Sequence, residues 1–211
     1  RRDLMMGLFG ALGSQAGGRV WLDGKPAHLT TPNESIRHGV ALLTHDRTTT
    51  GLVWSLSALA NMTLADLSRC CAGGWRLSRR ERAAAKEMTE ALSLRTASLD
   101  KKVTDLSRGN QQKLALAKWL LTRPRVMLLD EPTRGVDVGA RREIYELMND
   151  WTRQGIVILM ATPDIPEVLA MSDRILVMHR GRVAAELSGD GATENAVLEA
   201  AMGKEQEVAQ P

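Results

Sequence analysis

The chain has 211 residues, of which 44% are hydrophobic and 25% are charged, a balance that supports a sizeable apolar core and excludes an intrinsically disordered chain. The formal net charge of +3, with a single Tyr and a single Phe, gives no basis for a nucleic-acid-binding surface. Cys70 and Cys71 are adjacent, which argues against a disulfide framework or a zinc site and favours a reducing cytosol. Apolar runs such as Ile156–Ala161 reach only strand length, so we expect no membrane-spanning helix.

The first part of the chain predicts short helices and strands in alternation. In chain order they are the helix Leu4–Leu12, the strand Arg19–Leu22, a helix from Pro32 and the strand Val40–Leu43. Thr31–Glu34 has the capping-box pattern with Pro at the first helical position, and Gly39 can end that helix. Val40–Leu43 is apolar throughout, which predicts a buried strand.

The middle of the chain is helical, and the remainder returns to alternating patterns. Three helices are predicted at Ser57–Leu67, at Ser78–Leu94 with a second capping box from Ser78 to Glu81, and at Gly109–Thr122. The elements that follow are Val126–Leu129, Ala140–Arg153, Ile156–Ala161, Ile165–Met171, Arg174–Met178, a hairpin through Arg180-Gly181 to Val183–Leu187, and a helix Thr193–Met202 ended by Gly203. This order predicts an α/β domain over residues 1–203, with a parallel-sheet core, a helical insert at about 53–122 and a flexible tail at 204–211.

Two carboxylates follow the apolar strand Val126–Leu129. Asp130 and Glu131 are expected at the carboxyl end of that strand, where open α/β sheets bind their ligands. One acid there can hold Mg²⁺ through water, and the other can orient the water that attacks a γ-phosphate. A core strand followed by an acidic turn, with no role in binding, explains these residues equally well.

The neighbouring segments favour the functional interpretation. Leu106–Gln112 places Ser and Gly immediately before a predicted helix, and a helix N-terminus with free N–H groups favours anions. Pro132–Asp137 follows the two carboxylates without a gap. Taken alone, Ser107 would be an ordinary helix cap.

The three motifs, in this order and spacing, resemble the ATP-binding cassette (ABC) family. Leu106–Gln111 resembles its signature motif, Leu128–Glu131 its Walker B strand and Glu131–Asp137 its D-loop. The amino-acid sequence from residue 110 to residue 140 is similar to that of the second cassette of tandem ATPases that drive monosaccharide importers. The resemblance implies a P-loop NTPase-like nucleotide-binding domain that begins after the phosphate-binding loop, and hence an N-terminally truncated one.

The resemblance also assigns roles to particular residues. It implies that ATP and Mg²⁺ are cofactors, that Asp130 holds the Mg²⁺ through water and that Glu131 is catalytic. The nucleotide-binding residues that it implies are Arg1, Arg2, His45, Ser107, Arg108, Gly109, Asn110, Gln111, Asp130, Asp137 and Pro163.

Several positions depart from the pattern of the family. Arg1 and Arg2 stand where the phosphate-loop Lys and Ser/Thr are expected, so the Mg²⁺-binding hydroxyl is absent. His45 occupies the Q-loop position, and Pro163 occupies the switch position, where its side chain cannot form a hydrogen bond to the γ-phosphate. Arg108 replaces a signature Gly, and the sequence leaves open whether it blocks the nucleotide or adds a phosphate contact.

The resemblance implies an ATP-binding subunit that couples ATP hydrolysis to sugar import at the cytoplasmic face of the inner membrane. Its implied partners are a first cassette paired head to tail, membrane permease subunits and, indirectly, a periplasmic sugar-binding protein, with no nucleic acid. Two alternatives remain open, an inactive truncated pseudo-cassette and a soluble ABC ATPase of translation or DNA repair. The sequence of this chain does not identify the sugar that is carried.

Overall fold

The computed structural model of the protein describes residues 1–73 and 75–203, and these form two compact units. The first unit spans residues 2–161, and the second comprises residue 1 and, of the described residues, 162–203. The elements of the first unit are α1 (Arg2–Leu8), β1 (Val20–Leu22), β2 (Lys25–Ala27), α2 (Pro32–Arg37), β3 (Val40–Leu43), α3 (Ala58–Thr63), β4 (Cys71–Ala72), β5 (Trp75–Arg76), α4 (Ser78–Ala91), α5 (Arg108–Leu120), β6 (Val126–Asp130), α6 (Val138–Arg153) and β7 (Val157–Ala161). Those of the second unit are α7 (Ile165–Met171), β8 (Arg174–His179), β9 (Arg182–Ser188) and α8 (Glu194–Ala201). The predicted tail, 204–211, lies outside the described residues.

A parallel sheet of three strands, in the order β3, β6, β7, forms the centre of the first unit. Leu42 pairs with Leu128, which in turn pairs with Leu159. All four residues of β3 are buried, as expected for a strand covered on both faces. The prediction of an α/β fold with a parallel-sheet core is therefore confirmed.

An apolar core joins this sheet to the first helix. Met5 and Phe9 pack with Leu42 and Leu128, and each of the four is at most 5% exposed. The Phe9 ring meets the Trp119 ring edge to face, with centroids 5.3 Å apart, a favoured aromatic geometry. This packing fixes α1 and α5 against the strands that end at the candidate site.

The first helix ends earlier than the predicted Leu12. It stops at Leu8, and Gly10 turns the chain with φ of 72°. A Cβ at Gly10 would lie 2.7 Å from the backbone nitrogen of Thr31, so only glycine fits this close approach. The predicted capping box at the start of α2 is confirmed by reciprocal bonds between Thr31 and Glu34.

The helix predicted at Ser57–Leu67 is also shorter in the structure. Ser57 caps α3, but the α-helix ends at Thr63 and continues as 3₁₀ turns over Leu64–Cys70. Asp66 leaves helical geometry, and its carboxylate accepts hydrogen bonds from the Ser68 hydroxyl and the Arg69 amide. Such local bonds offer the backbone an alternative to the helix.

The capping box predicted at Ser78 is wrong, although the helix itself is confirmed. Leu77 stands at the N-cap of α4 and forms no side-chain capping bond. Glu81 is instead 2% exposed, accepts a hydrogen bond from the Thr63 hydroxyl at 3.0 Å and lies 3.5 Å from the Arg76 guanidinium. Its carboxylate stabilises the contact between α3 and α4 rather than the end of its own helix.

The stretch of chain between β3 and β6 contains α3, α4 and α5 with two short strands. The helical character predicted there is confirmed, whereas the domain limits of 53–122 stay a prediction. No helix among residues 1–73 and 75–203 has the length and apolar character needed to span a membrane.

The second unit is a strand hairpin with two helices. β8 and β9 pair antiparallel through the predicted turn at Arg180-Gly181. Ile175 and Val177 of β8 form its small core with Val197 and Ala200 of α8.

Candidate functional site

The carboxyl end of β6 brings Asp130 next to His45. Because β3 and β6 are adjacent and parallel, with Leu43 paired to Leu129, the residues that follow β3 emerge beside Asp130. The His45 Nδ1 atom lies 3.1 Å from Asp130 Oδ2. The side chains are 17% and 6% exposed, so this polar pair is largely withdrawn from water.

Glu131 lies at a sharp turn directly after β6. Its φ is 51°, a left-handed conformation that is uncommon outside glycine and is a form of strain found at functional sites. The turn is held by its amide, which donates to the carbonyl oxygen of Ala161 at 2.8 Å. Its carboxylate lies 3.5 Å from the Arg134 guanidinium, so the predicted catalytic acid faces an arginine of its own loop.

The predicted signature motif forms the start of α5. Ser107 is the N-cap, and its hydroxyl accepts hydrogen bonds from the amide and the side chain of Asn110. Ser107 and Arg108 are exposed, whereas Gln111 is buried, and its amide donates to the carbonyl oxygens of Val103 and Leu106. The exposed part of the motif is therefore Ser107 and Arg108, while Gln111 fixes the approach to the helix.

The start of α5 lies against the start of α6. A Cβ at Gly109 would lie 2.8 Å from the Cβ of Ala140, so the absent side chain permits this contact. Asp137 caps α6 by accepting from the amide of Ala140. The predicted signature and D-loop residues thus come together on one side of the first unit.

Two residues that the sequence interpretation missed, Arg47 and Gln112, connect these segments. The Arg47 guanidinium donates to Gln112 Oε1 at 3.1 Å and to the carbonyl oxygen of Arg134 at 3.2 Å. Gln112 in turn donates to the carbonyl oxygen of Pro132 at 2.6 Å. Partial burial, together with the nearby positive charge of Arg108, lowers the pKa of the Arg47 guanidinium. In the sequence, the signal that pointed to Gln112 was its place as the second Gln of the Asn-Gln-Gln run at the start of the helix.

The segment after His45 is stabilised by Asp46. Its carboxylate accepts hydrogen bonds from the amides and hydroxyls of Thr48 and Thr49, the second and third residues of a π-helical turn, Arg47–Gly51. These bonds, led by the one from the Thr48 hydroxyl, hold the pKa of the Asp46 carboxyl well below its usual range. The turn thereby orients Arg47 toward α5.

The remaining predicted site residues lie at exposed positions. Arg1 precedes α1, Arg2 is its first residue, and Pro163 lies in the link between β7 and α7. The roles that the resemblance gives these three residues stay predictions. The same holds for the other predicted site residues, which are His45, Ser107, Arg108, Gly109, Asn110, Gln111, Asp130, Glu131 and Asp137.

The donors around Asp130 determine what kind of metal could bind. Asp130 is 5% exposed and shares one carboxylate oxygen with His45. In the part of the chain that the structure describes, no group of three His, Cys, Asp or Glu residues could hold a metal ion. Mg²⁺ commonly takes one or two carboxylates and completes its shell with water and phosphate oxygens. A single carboxylate such as Asp130 is compatible with a magnesium ion that takes its other ligands from water and phosphate, and the metal-binding role of Asp130 stays a prediction.

The parallel sheet with its helical insertion is the fold of an ATP-binding cassette. Comparison with solved structures agrees, since the chain matches the dimeric post-hydrolysis ATP-binding cassette MJ0796, bound to ADP and Pi, with a TM-score of 0.72. That match covers 90% of this chain and 81% of the other at 23% identity. The chain belongs to the ABC transporter family, which it matches over residues 4–134.

Among curated proteins, the chain is similar to ATP-binding proteins of sugar importers. It is 41% identical over 203 residues to the ribose import ATP-binding protein RbsA of Geobacillus kaustophilus, covering 96% of this chain and 41% of that protein. It is 43% identical over 203 residues to a putative ribose/galactose/methyl galactoside import ATP-binding protein of Pseudomonas fluorescens, covering 96% of this chain and 39% of that protein. The chain thus spans about two fifths of the length of these relatives.

Proposed function

We propose that this chain is a cassette of the ATP-binding subunit of a sugar importer. The observation that carries the proposal is an identity of 41% and 43% to two sugar-import ATP-binding proteins over 96% of the chain. Its partners on this proposal are a second cassette, membrane permease subunits and, through them, a periplasmic sugar-binding protein. The complex would lie at the cytoplasmic face of the inner membrane.

On this proposal, ATP binds between two cassettes paired head to tail, a pairing supported by the dimeric MJ0796 cassette. Each nucleotide then contacts the carboxylates equivalent to Asp130 and Glu131 from one cassette. From the other cassette it contacts the helix N-terminus equivalent to the one at Ser107. The exposure of Ser107 beside the capped start of α6 fits a surface that faces a partner.

The two sides of this chain are unequally equipped for hydrolysis. On its own nucleotide side, Arg2 replaces the expected hydroxyl, His45 replaces the amide and Pro163 has no hydrogen-bonding group. Mg²⁺ bound with ATP would neutralise phosphate charge, with Asp130 as its carboxylate donor. Glu131 would orient the attacking water, but its contact with Arg134 competes for that carboxylate.

The signature side retains the groups needed to act in trans. Ser107 presents its hydroxyl at the N-terminus of α5, where the helix dipole favours a phosphate. We infer that the main catalytic contribution of this cassette is made by Ser107 to ATP bound on its partner. Loss of one electrostatic donor at a transferring phosphoryl group costs roughly 10²–10³ in rate.

The experiment compares Ser107→Arg with Glu131→Gln in the complete protein reconstituted with its permease, measuring steady-state ATPase rate and sugar uptake. Ser107→Arg should abolish transport-coupled hydrolysis, whereas Glu131→Gln should leave much of it. Thr193→Arg is the matched control, because it adds the same charge at the exposed N-cap of α8, outside the proposed site.

Other results of this comparison would contradict the proposal. If Glu131→Gln is the more damaging variant, the proposed asymmetry is wrong and the cassette's own site hydrolyses ATP. If neither variant changes the ATPase rate, the chain is an inactive cassette. Hydrolysis that proceeds without any dependence on permease or sugar would favour a soluble ABC ATPase.

A further inference from the structure

The Arg47 guanidinium connects three segments that are far apart in sequence. Arg47 follows β3, and its Nη1 atom donates both to Gln112 of α5 and to the carbonyl oxygen of Arg134 in the loop after β6. Gln112 extends the connection by donating to the carbonyl oxygen of Pro132, in the same loop. We call this set of bonds between Arg47, Gln112 and residues 132–134 the arginine bridge.

The arginine bridge allows only one orientation of the Gln112 side-chain amide. Gln112 is 2% exposed, and its amide oxygen accepts from Arg47 while its amide nitrogen donates to Pro132. Rotating the amide by half a turn would place N–H groups against the Arg47 donor and the oxygen against a carbonyl, so both bonds would be lost. The Gln112–Pro132 bond is buried and the Arg47–Gln112 bond is partly buried, so these two bonds restrain the distance between the elements they join.

The arginine bridge is close to proposed site residues at both of its ends. Arg47 is two residues from His45, which contacts Asp130. At the other end, Arg134 lies 3.5 Å from the Glu131 carboxylate through its own guanidinium. The loop that the bridge holds continues to Asp137, the cap of α6, and α6 in turn lies against the start of α5 at Gly109.

We propose that Arg47 is a positioning residue that sets the placement of residues 131–137 relative to the start of α5. This inference rests on the proposed function, in which both surfaces face the partner cassette. A fixed spacing between them allows both to meet the partner at once when the cassettes close, so Arg47 acts on the closed state rather than on nucleotide binding. Lysine does not reproduce it, because its ammonium is a compact, strongly hydrated point charge, whereas both bonds start from one NH₂ group of a planar, weakly hydrated guanidinium.

The test compares Arg47→Met and Arg47→Lys with wild type in the complete protein reconstituted with its permease. Both variants should lower kcat by about tenfold while KM for ATP stays within about twofold, because binding precedes closure. Gln112→Met should give a similar loss, and the double variant should be no slower than either single variant, since the two residues act through one bridge.

Hydrogen exchange gives a second measurement that needs no turnover. Amides of residues 132–137 should exchange faster in Arg47→Met, whereas those of the β8–β9 hairpin should be unchanged. Arg125→Met is the matched control, since Arg125 pairs with Asp23 at an exposed site away from the bridge, and should change neither kcat nor exchange in the loop.

The inference is overturned if Arg47→Met retains the wild-type kcat and loop exchange, or if KM rises by as much as kcat falls, which would indicate a direct nucleotide contact. A loss of exchange protection throughout the first unit would show a general structural role instead. Failure of the proposed function is a separate result, because it appears as wild-type protein without sugar-dependent ATP hydrolysis. Exchange in the loop would still test the bridge in that case.

Discussion

The imidazole of His45 and the carboxylate of Asp130 form a hydrogen-bonded pair, with Nδ1 and Oδ2 3.1 Å apart across 85 positions of sequence. Asp130 is 5% exposed, so a carboxylate deprived of this partner would be left in a site with little access to water. The pair therefore contributes to the stability of the sheet end where the proposed metal-binding residue lies.

We expect His45→Leu to lower the free energy of opening of β6 by about 1–3 kcal/mol, the usual cost of leaving a buried polar group without its partner. His45→Gln keeps a donor of similar reach and should recover most of that loss. Native-state hydrogen exchange at the amides of residues 128–130 measures the difference. Equal protection in His45→Leu and wild type would mean that the pair contributes no stability.

We expect Gly109→Ala to lower the free energy of unfolding by about 1–3 kcal/mol, since the new Cβ would force α5 and α6 apart at Ala140. Adding Ala140→Gly should restore nearly all of the lost free energy, because the glycine introduced in α6 is offset by the alanine introduced in α5. Thermal unfolding of the complete protein is the measurement. Gly7→Ala is the control, because its Cβ would meet the nearest atom at an ordinary 3.5 Å. The close contact is refuted if both Gly→Ala variants are equally stable.

The buried amine of Lys118 predicts that the free energy of unfolding depends on pH. Lys118 is 7% exposed, donates to the carbonyl oxygen of Gly51 and lies over the Trp119 ring, and burial lowers the pKa of its amine to about 8. Between this pKa and that of the unfolded chain, the unfolded state binds the proton and the folded state does not. Stability from this group therefore rises as pH rises through that window.

Relative to Lys118→Met, wild type should gain about 2 kcal/mol of unfolding free energy between about pH 7.5 and about pH 9.5. Urea unfolding of both proteins at the two pH values measures this, and taking the difference removes the effect of all other titrating groups. A constant difference across the range would show that the folded-state pKa of Lys118 is not lowered.

Local patterns predicted most of the secondary structure correctly. Val40–Leu43 is a strand with the predicted bounds, and the Thr31–Glu34 box caps its helix as expected. The Ser78–Glu81 box follows the same rule and fails, because Glu81 is drawn to Thr63, 18 positions earlier. A capping rule weighs only neighbouring groups, so a stronger distant partner overrides it.

The sequence by itself determined the alternation of strands and helices, the family and the order of the three motif segments, since each depends on residues close together in the chain. The tertiary structure decided which side chains meet. The pairing of His45 with Asp130 depends on β3 lying beside β6, and the contact of Arg47 with Gln112 spans 65 positions. Strand order and helix packing set these distances, and local periodicity carries no information about either. The bonds by which Arg47 and Gln112 join the motifs were therefore visible only once the chain was folded.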